Sequence, residues 1–119
     1  MPFKALLNAL IERVPGAQGA IVADWEGEAV DQVGLMDDSD LKVIGAHKGV
    51  ILHNMREVVG RLGDDQLKEI IITTKQAQTL ILPVTSDYYL VLTLDRSDML
   101  GLALMEARRC IQALYREIS

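Results

Sequence analysis

A single cysteine, Cys110, excludes an intrachain disulfide and fits a reducing compartment. Aromatic residues make up only 4% of the chain while half of it is hydrophobic, so the core must be aliphatic. No run approaches the roughly 18 consecutive apolar residues of a membrane span. The first ten residues lack the length and cleavage pattern of a secretory leader, so a cytoplasmic protein is expected. The net charge is −5, and no basic stripe is available to displace phosphate counterions; nucleic-acid binding is not expected. Glycine-rich phosphate loops of the GxxxxGK[ST] or GxGxxG type are missing. What remains is enough chain for one domain over residues 1–119, burying about two-thirds of its unfolded surface.

The most informative stretch is Ser39 to Leu62, which reads as one long helix with two apolar faces. At about 100° per residue, Leu41, Ile44, Ile51, Leu52, Met55, Val58, Val59 and Leu62 form a main stripe. Val43, Ala46, Val50 and Asn54, with His47 at the margin, form a thinner second one. Lys48 falls in the main stripe by angle and fits there only if its charge snorkels. One face suffices to join the helix to its own sheet; the second asks for another partner. Gly45 and Gly49 lower helix stability by about 1 kcal/mol each relative to alanine, and let another backbone come close. Asp37, Asp38, Ser39 and Asp40 stand where side-chain oxygens cap free amides and carboxylates meet the positive end of the dipole. They lack the ligand alternation of a calcium loop.

Before that helix, Phe3, Leu6, Leu7, Leu10, Ile11 and Val14 predict a short helix over 3–14, stopped by Pro15-Gly16. Gly19 to Trp25 is apolar on both sides, as in a sheet covered on both faces, and Glu28 to Val33 returns as its hairpin partner. After the long helix, Gly60 and Gly63 supply turn positions. Residues 69–75, 79–85 and 88–94 then read as an antiparallel meander, with Pro83 marking a bulge or strand end. The last helix carries the stripe Leu100, Leu104, Ala107, Ile111, Leu114 and Ile118, with a cap at Ser97 or Asp98 and a solvated face at Arg108, Arg109 and Arg116. The order α-β-β-α-β-β-β-α closes into one five-stranded antiparallel sheet if the first and last strands pair centrally. The long helix then covers one face and the terminal helices the other: an α+β, three-layer α-β-α sandwich. The apolar third strand, Ile70-Ile71-Ile72, lies at an edge, which pairing with a twin would cover.

Chemistry is harder to find. His47 and His53 are six apart, a spacing that does not suit a shared metal on a helix. Cys110 has no histidine near it in sequence and reads as a partly buried thiol. Asp24, Glu26, Glu28 and Asp31 cluster at one hairpin as solvated charges rather than as an acid–base pair. Arg56, Arg61 and Arg96 each could serve as an arginine finger acting in trans on a GTPase, a role that most surface arginines never play. The expectation is a binding module: no catalytic residue, no metal, no cofactor.

With that order in hand the chain resembles the roadblock family of dynein-light-chain-like and MglB-like proteins over essentially its whole length. The likeness rests on Gly16-Ala-Gln-Gly-Ala-Ile-Val-Ala-Asp-Trp-Glu-Gly-Glu28, on the glycine-bearing helix ending Gly60-Arg-Leu-Gly63, on the meander, and on the last helix opening Leu100-Gly101. It implies a profilin-like, longin-like fold dimerising through the long helix and third strand. It also implies binding to a small Ras-like GTPase as activator, exchange platform or scaffold, the MglB type remodelling the GTPase rather than inserting an arginine. The expected twin contacts are Val43, His47, Val50, Asn54, Ile70 and Ile72; the expected GTPase contacts are Lys48, Leu52, His53 and Arg56. The rival reading is an assembly subunit of a motor or signalling complex that leaves GTP turnover unchanged. A third is a small-molecule sensor, which the sparse aromatics do little to encourage.

Overall fold

Phe3, Leu7 and Leu10 fall on one side of helix α1 (Phe3–Arg13) and are all buried. Gly16, with φ of 87°, turns the chain into β1 (Ala17–Asp24), and β2 (Ala29–Gly34) returns beside it. The computed structural model describes residues 3–24, 29–34, 51, 53–61, 63, 66–75, 77–95 and 99–118. Residues 53–60 are helical (α2), and Gly63 beyond them has φ of 100°. The meander follows as β3 (Ile70–Thr73), β4 (Gln78–Pro83) and β5 (Tyr88–Leu94), before α3 (Leu100–Ile118). The proposed caps at 37–40 and at 97–98, and the glycines at 45 and 49, lie outside the described residues.

The sheet runs β2-β1-β5-β4-β3, antiparallel throughout, so the first and last strands do pair at its centre. Alternation along the strands then splits the apolar residues between two cores. Ala20, Val22, Leu80, Leu82, Leu90 and Leu92 point to the side packed by α1 and α3. Ile21, Ala23, Ile81, Tyr89 and Val91 point to the other, where Leu67, Ile70 and Ile72 pack against them. Burial on both faces explains why these strands read as unbroken apolar runs. Pro83 ends β4, which resolves its conflict with strand geometry. Gly34 ends β2 against Gly19 of β1, where an added Cβ would meet the Gln18 carbonyl oxygen at 2.5 Å.

The turn glycines fall as expected: Gly60 is the last helical residue of α2, and Gly63 beyond it is left-handed. Two expectations shift. Met55 and Val58, assigned by angle to the sheet-facing stripe, are 40% and 51% exposed. The buried side of α3 is Ala103, Glu106, Ala107, Cys110 and Leu114, with Leu100, Leu104, Ile111 and Ile118 at its margins. Glu106 is tolerated there because Arg13 of α1 and Arg109 approach its carboxylate at 3.7 and 3.4 Å. Arg108 lies on the solvated face as expected, and also grips Glu69 through two hydrogen bonds of 2.6 and 3.3 Å, tying α3 to the start of β3.

Candidate protein–protein interface

Among the described residues, two features leave surface without a partner. β3 pairs there with β4 alone, so its other side is an open edge, and Ile71 at its centre is 40% exposed. On α2, Met55 and Val58 are three residues apart, one turn of the same helical side, and both are exposed. Asn54 is exposed next to them and Ile51 is half-buried. Exposed apolar side chains at helical spacing, together with an unpaired strand edge, are what an assembly surface offers.

The expected contact residues divide as follows. Val43, His47, Lys48, Val50 and Leu52 lie outside the described residues. Asn54 and His53 are exposed on α2, and His53 sits 3.3 Å from Glu57 one turn on. Ile70 and Ile72 point toward the second core and are half-buried, so the exposed apolar member of that strand is Ile71, which sequence reasoning did not single out. Arg56 is half-buried and lines a groove with Val59, Leu67, Lys68, Thr85 and Ser86. Those residues come from three distant stretches, so no sequence pattern marks the groove. Among the described residues no group of His, Cys, Asp or Glu could hold a metal ion. Nor is any described helix long and apolar enough to cross a membrane.

Two buried groups titrate abnormally. Burial raises the Cys110 thiol from 9.0 to about 11, with Arg13 pulling weakly the other way. Its Sγ lies 3.9 Å from the Leu6 carbonyl oxygen, to which it donates. Burial raises the Tyr89 phenol from 10.0 to about 12, helped by the negative charge of Asp24. A folded-state pKa raised above the unfolded one stabilises the fold fully below the unfolded value and loses that contribution as pH climbs through the folded value. Alkaline destabilisation is therefore expected between about pH 9 and 12, from Cys110 first and Tyr89 second. Denaturant titrations across that range should show it, and Tyr89→Phe should flatten the upper part. An unchanged midpoint up to pH 12 would contradict the burial of both groups.

Three helices and a five-stranded antiparallel sheet in this order define an α+β roadblock fold. The sequence profile described as Roadblock/LC7 domain matches residues 4–94, and the chain belongs to that family. A Roadblock/LC7 domain from Streptomyces avermitilis superposes with a TM-score of 0.88 at 16% identity, over 96% of this chain and 95% of that one. Myxococcus xanthus MglB superposes at 0.89 and 15% identity, over 99% and 95%. MglC from the same organism gives 0.73 and 24% identity, over 98% and 99%. Comparison with curated proteins found no match.

Proposed function

We propose that the protein is a non-enzymatic dimeric regulator that binds a small Ras-like GTPase and modulates its nucleotide cycle. The observation that carries this reading is the pairing of an open β3 edge with an exposed apolar side of α2. A twin subunit added at β3 would continue the sheet and bring two α2 helices together, making one composite platform for a partner. Such a platform needs no catalytic group of its own. By binding one arrangement of the GTPase switch segments better than another, it changes their population and hence turnover. The structural likeness to MglB and MglC supports the GTPase as partner class. The site of action is read as cytoplasmic, where such GTPases work.

A second reading is an assembly subunit without effect on turnover. It is favoured by a further structural relative, an MglB with a tetrameric arrangement, at a TM-score of 0.86 and 17% identity over 96% of this chain and 85% of that one. A pull-down from native lysate, run in parallel with GDP and a non-hydrolysable GTP analogue, separates the two. Retention of a Ras-like GTPase in one nucleotide state only is the expected result. Retention of other proteins regardless of nucleotide would sink the regulator reading in favour of the assembly one.

A further inference from the structure

Helix α3 closes one side of the sheet with Ala103, Ala107, Cys110 and Leu114, so its opposite side looks outward. At about 100° per residue, Tyr115, Arg108, Gln112, Met105, Arg116 and Arg109 fall, in that angular order, within a sector of roughly 120°. All six are exposed, Met105 by 45% and Tyr115 by 52%. The sector holds three arginines and no carboxylate, because both acidic residues of α3, Glu106 and Glu117, lie outside it. Arg108 donates two hydrogen bonds to Glu69, and Arg109 donates one to Glu106. A guanidinium carries five N–H donors, so each can meet a second carboxylate without giving up the first. Their side chains are 58% and 65% exposed even in these pairs. Glu106 also takes Arg13 of α1, so one buried carboxylate stands against two outward guanidinium groups. Beside the arginines, Ile111, Gln112, Tyr115 and Arg116 line a depression of about 340 Å³, room for an apolar side chain. Arginine, tyrosine and methionine are the side chains that protein interfaces favour, and the residues that carry most binding energy are often arginine or tyrosine.

We infer that the outward face of α3 docks an acidic amphipathic helix of a partner protein. One apolar side chain of that helix sits in the depression beside Tyr115, and its carboxylates meet Arg108, Arg109 and Arg116 through charge-assisted hydrogen bonds. Charge complementarity selects this occupant. A second copy docked face to face through α3 would instead set the same arginines against their own twins. The face lies on the side of the sheet away from Ile70 and Ile72 and shares no residue with α2 or β3. It therefore goes beyond the GTPase reading and stands or falls apart from it.

The full chain, isotopically labelled, is titrated at constant ionic strength with the capped peptide Ac-Leu-Glu-Glu-Leu-Leu-Glu-Glu-Leu-Leu-Glu-Glu-Leu-amide and with its glutamine counterpart, and read by amide-resolved NMR. The acidic peptide is expected to shift the amides of Met105, Arg109, Gln112 and Arg116 saturably, and the glutamine peptide to bind at least tenfold more weakly. Arg116→Glu should weaken the acidic peptide at least tenfold while the rest of the spectrum stays put, which separates lost binding from lost folding. The same charge change at Lys75, in the turn between β3 and β4, should alter binding less than twofold. Equal binding of the two peptides would overturn the proposal, as would shifts that map to α2 or β3 instead of α3. Co-sedimentation with phosphatidylglycerol vesicles by a chain that ignores both peptides would assign the face to an anionic membrane and overturn it as well. No response to peptide or vesicle overturns it too. A chain that still retains a GTPase in one nucleotide state would then lose the α3 site but keep the regulator reading.

Discussion

Leu90→Ala is expected to lower the stability of the fold by about 3–4 kcal/mol and its melting temperature by roughly 10 °C. Leu90 lies in β5, the strand flanked by β1 and β4, in register with Val22 on one side and Leu82 on the other. Its exposure is 0%, and its side chain belongs to the core beneath α1 and α3. Truncation removes transfer free energy and leaves a cavity that neighbours fixed in a ladder on both sides fill poorly. Met105→Ala, on the outward side of α3, is the matched control and should cost less than about 1 kcal/mol. Urea unfolding followed by circular dichroism measures both. Similar losses for the two variants would mean that the burial pattern does not hold in solution.

Val58→Arg should leave the subunit folded yet weaken self-association about a hundredfold or more, equivalent to roughly 2.7 kcal/mol. Val58 is half exposed in the single chain, so a long cationic side chain can reach water there and the fold is barely taxed. Across a pair of apposed α2 helices, two such charges would instead be desolvated against each other near the two-fold axis. Sedimentation velocity over a dilution series gives the dissociation constant directly. Val50→Arg, on the thinner stripe read from the sequence, should act the same way. A Val58→Arg chain that remains as dimeric as the parent would show that the outward side of α2 is not the pairing surface.

Most of the sheet could be read in advance because its signals are local. The strand Tyr88–Leu94 is bounded by turn residues and apolar on both sides, and Pro83 marked where its neighbour ends. Central pairing of β1 with β5 followed from having two antiparallel groups to merge. Side-chain burial on the helices was less legible. The stripe read from spacing on α3 held Ala107 and Leu114, which are buried, but also Leu100, Leu104 and Ile118, which lie at the margins, and it left out Glu106. That carboxylate is buried because arginines from two helices meet it, a pairing that joins positions 13 and 106 and leaves no local trace. On α2, angle alone assigned Met55 and Val58 to the core, since a helical wheel shows which residues share a side but not which side faces the sheet. The groove beside α2 is the extreme case, made by residues near 56, 68 and 85 that the closed sheet brings together.

The central placement of β1 and β5 also bears on how the chain is made. The hairpin of β1 and β2 leaves the ribosome with apolar residues on both sides of β1, while the strand that must lie against it ends at Leu94. Translation at about 5–20 residues per second leaves β1 without that neighbour for about 4–14 seconds. Throughout that interval the nascent segment exposes the apolar residues that β5 later covers, and α3, which seals the core, emerges after β5. A topology that gives the finished subunit its most deeply buried strand pair thereby makes the unfinished one dependent on whatever shields it during synthesis.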